Sequence, residues 1–356
     1  MIKNVIISLR LSYSQSQHLR ALFYSTQTEC VSKKKPEKVV NVAIVGAPNS
    51  GKSTLINRIV QRKICASSNK VHTTTKLARA ICVHNETQVI FLDTPGIVTK
   101  REQKKYSLPD SMISACEKSL RCADVIGVVH DVSNKWTKDK INTDVIKMLQ
   151  LAEGIPSFLI INKVDEFKAK RHLLSVIRNL TNGVIAGKPI PGAAREKSDN
   201  PDWGYSKFSD VFLVSALNGD GVQDIKNYLV ANAKSASSHY NLDEWSDQTP
   251  EALIEETVRA KFMDFLSQEI PYKLLCRLEY YEVDEVEDKI ICSVKVECPS
   301  ERLARLINGA GGGRLQQIKS FARADLMELF KKPVVLDISL KVTSQPDIEI
   351  SSVDKV

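Results

Sequence analysis

The fold of this chain is decided by the stretch Gly46-Ala47-Pro48-Asn49-Ser50-Gly51-Lys52-Ser53. It follows an apolar run at 39–45, and the next residues, 54–60, have the spacing of the first turns of a helix. A strand, a glycine-containing loop, a Lys-Ser pair and a helix, in that order, form a P-loop arrangement. Backbone N–H groups of such a loop and of the helix N-terminus point at phosphate groups. The stretch from Gly46 to Thr54 is therefore predicted to bind phosphates.

Two side chains of this loop are expected to act on the phosphates directly. Lys52 is expected to reach the β- and γ-phosphates and to take part in catalysis, and the Ser53 hydroxyl is expected to ligate Mg²⁺. The alternative is a chance match in a glycine-containing turn. The strand-like run before the loop and the helix-like run after it make that alternative the weaker one.

Length and composition indicate a globular chain with more than one domain. It has 356 residues, of which 43% are apolar and 26% are charged. No apolar run approaches the ~20 residues that span a bilayer, so any membrane association is expected to be peripheral. The eight cysteines form no C-x-x-C pair and have no histidine at zinc-ligand spacing. This pattern indicates reduced thiols in an intracellular compartment rather than a zinc site or disulfides.

The N-terminal segment has the composition of a targeting sequence. Residues 1–28 contain three basic residues, five serines and no Asp or Glu, which is typical of a mitochondrial transit peptide. We predict a transit peptide or disordered segment over 1–36, cleaved near Tyr24 or Ser25, and a mature protein in the mitochondrial matrix. A secretory signal needs an unbroken apolar core of ~7–15 residues, which this segment lacks. A disordered basic tail remains the alternative.

Strand-like and helix-like runs alternate between about 39 and 235. This alternation predicts an α/β domain with a doubly wound, mostly parallel sheet. A run at 183–208, rich in Gly, Pro, Lys, Asp and Ser, predicts a surface insertion, and the polar run 236–248 predicts a linker. Ligands of such sheets bind at the carboxyl ends of the strands, and the remaining motifs follow strand-like runs.

The motif Asp93-Thr94-Pro95-Gly96 follows directly on the strand-like run 89–92. Asp93 is expected to hold Mg²⁺ through water, and the N–H of Gly96 is expected to sense the γ-phosphate and to act in catalysis. By itself a D-x-x-G turn is common. Ile97 comes next, where Ras-like proteins carry the catalytic Gln, so hydrolysis is expected to be slow or to use water positioned by another element.

The motif Asn162-Lys163-Val164-Asp165 follows the run 159–161 and is expected to recognise guanine. Asp165 can accept hydrogen bonds from N1–H and N2–H₂ of guanine, a donor pair that adenine lacks. With ATP the carboxylate would stay unpaired, which carries a steep penalty. Asn162 is expected to contact the base edge, and the stem of Lys163 to cover the base face. Standing alone, the tetrapeptide is equally well explained as a solvated turn.

The motif Ser215-Ala216-Leu217 completes the series, and its backbone is expected to contact the guanine O6. The four motifs occur in order, each after a strand-like run, so coincidence becomes negligible. We predict a GTPase with GTP or GDP as ligand and Mg²⁺ as cofactor. Its predicted nucleotide-binding residues are Gly46, Ala47, Pro48, Asn49, Ser50, Gly51, Lys52, Ser53, Thr54, Asp93, Thr94, Pro95, Gly96, Asn162, Lys163, Val164, Asp165, Ser215, Ala216 and Leu217.

A polar loop at 69–76 lies between the first two motifs and contains His72-Thr73-Thr74-Thr75. A Thr in this loop is expected to ligate Mg²⁺ only while the γ-phosphate is present, which is the chemistry of a nucleotide switch. A polar loop with β-branched residues and no such role remains the alternative.

The part from about 249 to 345 has a different pattern, and 346–356 reads as a tail. The predicted elements between about 249 and 345 follow the order helix, strand, strand, helix, G-x-x-G loop, helix, strand. This order predicts an α+β type II KH domain. Thr249-Pro250-Glu251 marks the start of the first helix, which is expected to run to about Gln268.

The glycine loop at 309–313 is predicted to clamp RNA. Between 300 and 332 there are seven basic and three acidic residues, so positive charge is concentrated around the loop. The alternative is a glycine-rich connection between two helices. The predicted RNA-binding residues are Gly309, Ala310, Gly311, Gly312, Arg314 and Lys319.

Over about 39–342 these motifs resemble the Era family, in particular its animal mitochondrial members. The resemblance rests on G-A-P-N-S-G-K-S-T, the T-T loop, D-T-P-G, N-K-V-D, S-A-L and the KH domain entered through T-P-E. It implies a GTPase that assists assembly of the small ribosomal subunit by binding the 3′ region of its RNA. Thr75 stands where the family has Arg after the switch Thr, which makes Thr74 the implied Mg²⁺ ligand and a catalytic residue.

The resemblance also points to a site for a monovalent cation and to two departures of this chain from the family pattern. Related GTPases that lack the catalytic Gln hold K⁺ with an Asn in the P-loop, which here is Asn49. Ala310 stands where the KH loop usually has a basic residue, and Asn308 stands where the family is apolar.

Two other functions are alternatives to this one. In the first, the protein is an RNA chaperone for which GTP is a structural ligand and hydrolysis is incidental. The second is a tRNA-modification GTPase of the same superfamily, which would need a helical domain beside the GTPase unit and a reactive C-terminal Cys. Neither of those features is visible in the sequence.

Overall fold

The structure is a computed structural model that describes residues 35–66, 78–93, 120–168, 170–190, 203–267 and 269–343. The chain divides between Lys35 and Pro36 into two units, and the elements below lie in the second, Pro36–Val356. The described strands are β1 (Lys38–Gly46), β2 (Ala78–His84), β3 (Thr87–Asp93), β4 (Val125–Asp131), β5 (Ser157–Asn162), β6 (Val184–Ile185), β7 (Lys188–Pro189), β8 (Phe208–Val214), β9 (Lys234–Ser235), β10 (Leu275–Asp284), β11 (Lys289–Cys298) and β12 (Val334–Val342). The described α-helices are α1 (Lys52–Val60), α2 (Thr143–Leu151), α3 (Leu173–Thr181), α4 (Val222–Ala231), α5 (Pro250–Phe265), α6 (Glu301–Asn308) and α7 (Gly313–Phe330).

The first domain is built on a sheet with the strand order β2-β3-β1-β4-β5-β8, and β9 adds to β1. The pairs from β3 through β8 along this order are parallel, whereas β2 and β9 pair antiparallel. Strands β1, β4 and β5 are buried along almost their whole length because helices cover both faces, which explains their continuous apolar runs. The predicted doubly wound, mostly parallel fold is confirmed.

The turn between β2 and β3 has the geometry that its two residues favour. Asn85 and Glu86 both adopt left-handed backbone angles, with φ of 46° and 57°. A two-residue hairpin turn of the type that matches strand twist needs positive φ at both positions, and Asn supplies it readily. This turn sets the register in which Ala78 faces Asp93, at the edge of the sheet where the site lies.

The predicted insertion at 183–208 contains a short hairpin of β6 and β7 in its described part. Backbone hydrogen bonds hold its return to the domain. Ile141 N donates to Trp203 O at 2.8 Å, and Tyr205 N donates to Leu180 O at 2.9 Å. Residues 191–202 lie outside the described residues.

The second domain has a three-stranded sheet in the order β10-β11-β12. Strands β10 and β11 are antiparallel, β11 and β12 are parallel, and α5, α6 and α7 pack on the sheet. The predicted start of α5 is observed: Thr249 Oγ1 accepts from Ala252 N at 3.4 Å, and Pro250 is the first helical residue. The helix ends at Phe265, before the predicted Gln268, because Leu266 turns to extended backbone and buries its side chain.

One hydrophobic core runs through both domains. The connecting segment is part of it, since Trp245 packs edge-on against Phe330 with ring centroids 6.1 Å apart. The Arg62 guanidinium lies 5.3 Å from the centroid of the Trp245 ring, and Arg62 Nη1 donates to Leu329 O at 3.0 Å. The residues that follow helix α1 are therefore held directly against helix α7 of the second domain. None of the described helices is long and apolar enough to cross a membrane.

Candidate nucleotide site and RNA loop

The P-loop connects β1 to α1 and places its lysine inside the loop. Lys52 Nζ donates to Gly46 O at 3.2 Å and to Ala47 O at 3.0 Å, and the residue is only 7% exposed. Helix α1 begins after Gly51, whose φ of 95° is left-handed. The first N–H groups of α1 and the Lys52 ammonium thus converge on the same concave loop, which suits a chain of phosphates.

Ser53 and Asp93 bring hard oxygen atoms together beside this loop. The Ser53 Oγ donates to Asp93 Oδ2 at 3.3 Å, and Asp93 is fully buried at the end of β3. Strand β3 lies next to β1 in parallel, and its last residue, Asp93, lies opposite Ile44 of β1. The carboxylate of Asp93 is therefore at the same end of the sheet as the P-loop and Ser53, which follow β1. A hydroxyl and a carboxylate are oxygen ligands of the kind that Mg²⁺ prefers, so the predicted metal fits these residues.

Several predicted residues cannot be placed. Thr74, Thr94, Pro95, Gly96 and Ile97 lie outside the described residues. The predicted roles of Thr74 as a Mg²⁺ ligand and of Gly96 as the γ-phosphate sensor therefore remain predictions. The same holds for the effect of Ile97 at the position of the catalytic Gln. No cluster of three or more His, Cys, Asp or Glu that could hold a metal occurs within the described ranges.

Asn162 joins three of the predicted motifs. Its Nδ2 donates to Ser50 O at 2.8 Å, and its Oδ1 accepts from Ala216 N at 3.0 Å. The residue is buried, and a Cβ on Gly51 would lie 2.2 Å from its Nδ2. Both atoms of the amide therefore already hold the P-loop and the Ser-Ala-Leu motif together, while the predicted contact of Asn162 with the base edge remains a prediction.

The residues that are expected to hold the guanine base lie at the rim of the site. Asp165 is exposed in a turn closed by Glu166 N donating to Lys163 O at 3.1 Å, and Val164 N donates to Val214 O at 3.3 Å. Because the Asp165 carboxylate is open to solvent in the protein alone, discrimination against adenine would arise when a bound base covers it.

The Ser-Ala-Leu turn after β8 has a buried first residue and an exposed last residue. Ser215 is fully buried and its Oγ accepts from Asn218 N at 3.2 Å, whereas the Leu217 side chain is 66% exposed. The Ala216 backbone between them is held by Asn162. The geometry leaves the backbone of this turn at the same edge as the P-loop, as the sequence predicts.

The glycine loop of the second domain is open at its tip. Gly309, Gly311 and Gly312 have left-handed φ angles of 74°, 58° and 77°. A Cβ at Gly311 would have no atom within 4 Å, whereas one at Gly309 would meet Arg314 Cβ at 2.9 Å. Gly309 is thus needed for packing, and Gly311 leaves backbone accessible to a ligand.

Two predicted RNA-binding side chains already have protein partners. Arg314 Nη1 donates to Leu306 O at 2.9 Å, which satisfies a carbonyl at the end of α6. Lys319 Nζ lies 2.7 Å from Asp337 Oδ1, and its hydrogen bond lowers the pKa of the Asp337 carboxyl. To bind RNA, each of these side chains would therefore have to exchange its protein partner for a phosphate.

Comparisons with known proteins agree over most of the chain. Residues 41–163 match the family model described as a 50S ribosome-binding GTPase. The mitochondrial GTPase Era of Danio rerio is 34% identical over 339 residues, which cover 86% of this chain and 75% of that protein. GTPase Era of a Rickettsia bellii strain is 31% identical over 87% of this chain and 94% of that protein. The chain belongs to the Era family of GTPases.

Solved Era structures share the fold of this Era-family chain. An Aquifex aeolicus Era variant bound to GDP·AlF4⁻ superposes with a TM-score of 0.70 at 26% identity, covering 87% of this chain and 95% of that one. Era in complex with MgGDPNP and nucleotides 1506–1542 of 16S ribosomal RNA also superposes at 0.70, with 27% identity over 87% and 94%. The predicted resemblance, the fold class and the GTPase activity are confirmed.

Two residues that contact the predicted motifs, Arg58 and Asp131, lie outside them. Arg58 in α1 donates through Nε to Ala216 O at 3.2 Å and through Nη2 to Leu217 O. No sequence signal marks this arginine, because it lies outside the motifs. Asp131 contacts Lys163, and its position at the end of a strand-like run, like that of Asp93, is a signal that could have found it.

Proposed function

We propose that this GTPase is a GTP-dependent switch that binds small-subunit ribosomal RNA, toward its 3′ end, through the KH domain. The switch would assist assembly of the mitochondrial small ribosomal subunit. The observation that carries the proposal is a P-loop site joined through Asn162 and, in the same chain, an open glycine loop with positive φ angles. The solved Era complex that contains both MgGDPNP and a 16S fragment supports it.

In this proposal the chain's own residues divide the work on the nucleotide. The N–H groups of the P-loop and of α1, with Lys52, bind the phosphates, and Ser53 and Asp93 hold the metal. A magnesium ion held by Ser53 and Asp93 would supply positive charge that offsets the negative charge developing on the phosphates during transfer. Asp165 and the Ser-Ala-Leu backbone recognise the base, and Thr74 and Gly96 report the γ-phosphate.

A monovalent cation is the further cofactor that we propose. Asn49 lies at the exposed tip of the P-loop with a left-handed φ of 59°. An amide oxygen there can help to hold K⁺ beside the phosphates, where positive charge would offset the charge of the transition state. This role suits a site in which Ile97 replaces the catalytic Gln.

Nucleotide selectivity tests the first half of the proposal. The protein is expected to bind GTP and GDP but not ATP. In Asp165→Asn the carboxylate partner of guanine becomes an amide, so preference should move toward xanthine nucleotides. Titration of labelled GDP and XDP into both proteins measures the change. Unchanged guanine preference in the variant would refute the assigned base contact.

RNA binding tests the second half. Gly311→Asp adds bulk and negative charge at an open position with left-handed φ, so it should weaken binding to a small-subunit 3′-end RNA strongly. GTP binding should stay intact because the two sites lie in separate domains. Gly187→Asp, in the turn between β6 and β7 with a left-handed φ of 72° and no atom within 4 Å, is the control for strain and charge. Equal RNA affinity of Gly311→Asp and the parent would remove this loop as the RNA site.

The RNA-chaperone alternative differs in what hydrolysis does. If GTP is only a structural ligand, single-turnover hydrolysis should be the same with and without small ribosomal subunits. A switch should hydrolyse GTP faster when its target is present. Location is tested separately, by fusing residues 1–36 to a fluorescent reporter. Import of the fusion into the mitochondrial matrix is the expected result, and a diffuse reporter would contradict it.

A further inference from the structure

The lysine of the Asn-Lys-Val-Asp motif is held by a partner outside every motif. Lys163 Nζ lies 2.6 Å from Asp131 Oδ2. The lysine backbone is left-handed, with a φ of 63°, which non-glycine residues adopt at a cost. A strained backbone and a fixed ammonium together restrict Lys163 to one direction along the rim of the site.

The position of Asp131 is set by contacts other than the one with Lys163. It is the last residue of β4, paired in parallel with Asn162 of β5, so the two strand ends bring Asp131 beside the motif. Its Oδ1 accepts from Ser133 N at 2.8 Å and from Ser133 Oγ at 2.7 Å. One carboxylate oxygen is thus used to anchor Asp131, and the other is left for Lys163.

The carboxylate also keeps its charge. Partial burial would raise the pKa of Asp131, but the hydrogen bonds from Lys163 and Ser133 outweigh it and lower the pKa from its ordinary value. At neutral pH the pair is therefore a charge-assisted hydrogen bond, which is shorter and stronger than a neutral one.

We propose that Asp131 is a positioning residue for guanine-nucleotide binding, which acts by holding the Lys163 stem where it covers the base. The inference rests on the proposed nucleotide site. A long side chain that is already ordered loses less conformational freedom when the ligand binds, so the pair preorganises the site. Because both carboxylate oxygens of Asp131 are already engaged by Ser133 and Lys163, we expect Asp131 to contribute to affinity and residence time but not to the choice of guanine.

The test is the release rate of a fluorescent GDP analogue from the full chain. Asp131→Asn keeps the shape of the side chain, and release should become about fivefold faster, the size expected when a partly exposed charge pair is lost. The preference for GDP over XDP should not change. Asp139→Asn is the matched control, because Asp139 lies in the loop that follows β4 and, within the described part of the chain, pairs with Lys138 at 3.8 Å rather than with a motif residue. Its release rate should equal that of the parent.

A double-mutant cycle separates positioning from a merely structural role. Lys163→Met keeps most of the stem but removes the ammonium, so adding Asp131→Asn to it should change the release rate little. An effect of Asp131→Asn that persists in the Lys163→Met background would overturn the inference, as would a parent-like release rate in the single variant. Failure of the parent protein to bind GDP would instead refute the proposed site itself, and this inference with it.

Discussion

Asp325 is the residue whose loss should disturb the join between the two domains most. It lies in α7 and is only 9% exposed. Its Oδ1 is 2.6 Å from Lys63 Nζ, just after helix α1, and its Oδ2 is 2.6 Å from Lys261 Nζ in α5. One carboxylate therefore links the GTPase domain to two helices of the second domain.

Asp325→Asn removes the negative charge while keeping the size of the side chain. Deleting one partner of a buried ion pair costs ~3–5 kcal/mol, because the other charge stays buried. Two features reduce that cost here: Lys261 keeps Asp264 at 3.5 Å, and the Lys63 side chain is 26% exposed. We therefore expect the free energy of unfolding to fall by about 2–3 kcal/mol.

Urea unfolding of the full chain, followed by tryptophan fluorescence, measures this change, since Trp245 packs at the same junction. The control is Asp337→Asn, which breaks the Lys319 pair at an acid that is 65% exposed, so it should cost about 1 kcal/mol at most. The reasoning would be refuted if Asp325→Asn unfolded within ~0.5 kcal/mol of the parent, the size of an ordinary surface substitution.

Three further predictions concern the two ligand sites. Gly51→Ala would place a Cβ 2.2 Å from Asn162 Nδ2 and should abolish GDP binding in a titration, whereas Gly154→Ala, at a similar φ with nothing within 4 Å, should bind GDP normally. GTP hydrolysis should be faster in K⁺ than in Na⁺, and Asn49→Ala should lose the difference; equal rates of the parent in both salts would exclude the K⁺ site. Ala310→Lys should tighten binding to a small-subunit 3′-end RNA, and Arg314→Ala and Lys319→Ala should each reduce the slope of log affinity against log salt by about one. Arg314 bonds to Leu306 and Lys319 to Asp337. An unchanged salt slope would therefore mean that these two side chains keep their protein partners and do not bind the RNA phosphates.

Local patterns were enough to predict the fold and the nucleotide motifs. A run that is apolar on both faces becomes a buried parallel strand, and the motifs that follow such runs meet at one edge because the carboxyl ends of parallel strands lie together. The Thr249-Pro250 start of α5 was likewise readable, since capping involves only neighbouring residues. Strand formation and helix capping each depend on residues that lie within a few positions of one another, so both could be predicted from the sequence.

The partners of individual side chains were decided only by the tertiary structure. Asn162 meets Ser50 across 112 positions, and Lys63 meets Asp325 across 262. Arg314 and Lys319 count as basic residues near a loop in the sequence, but packing of α6 and β12 against α7 gives them carbonyl and carboxylate partners. The sequence by itself therefore determined which chemical groups lie at each strand end and loop. Their direction and pairing depend on how distant elements pack, because side chains settle where burial and hydrogen bonding are satisfied across the whole chain.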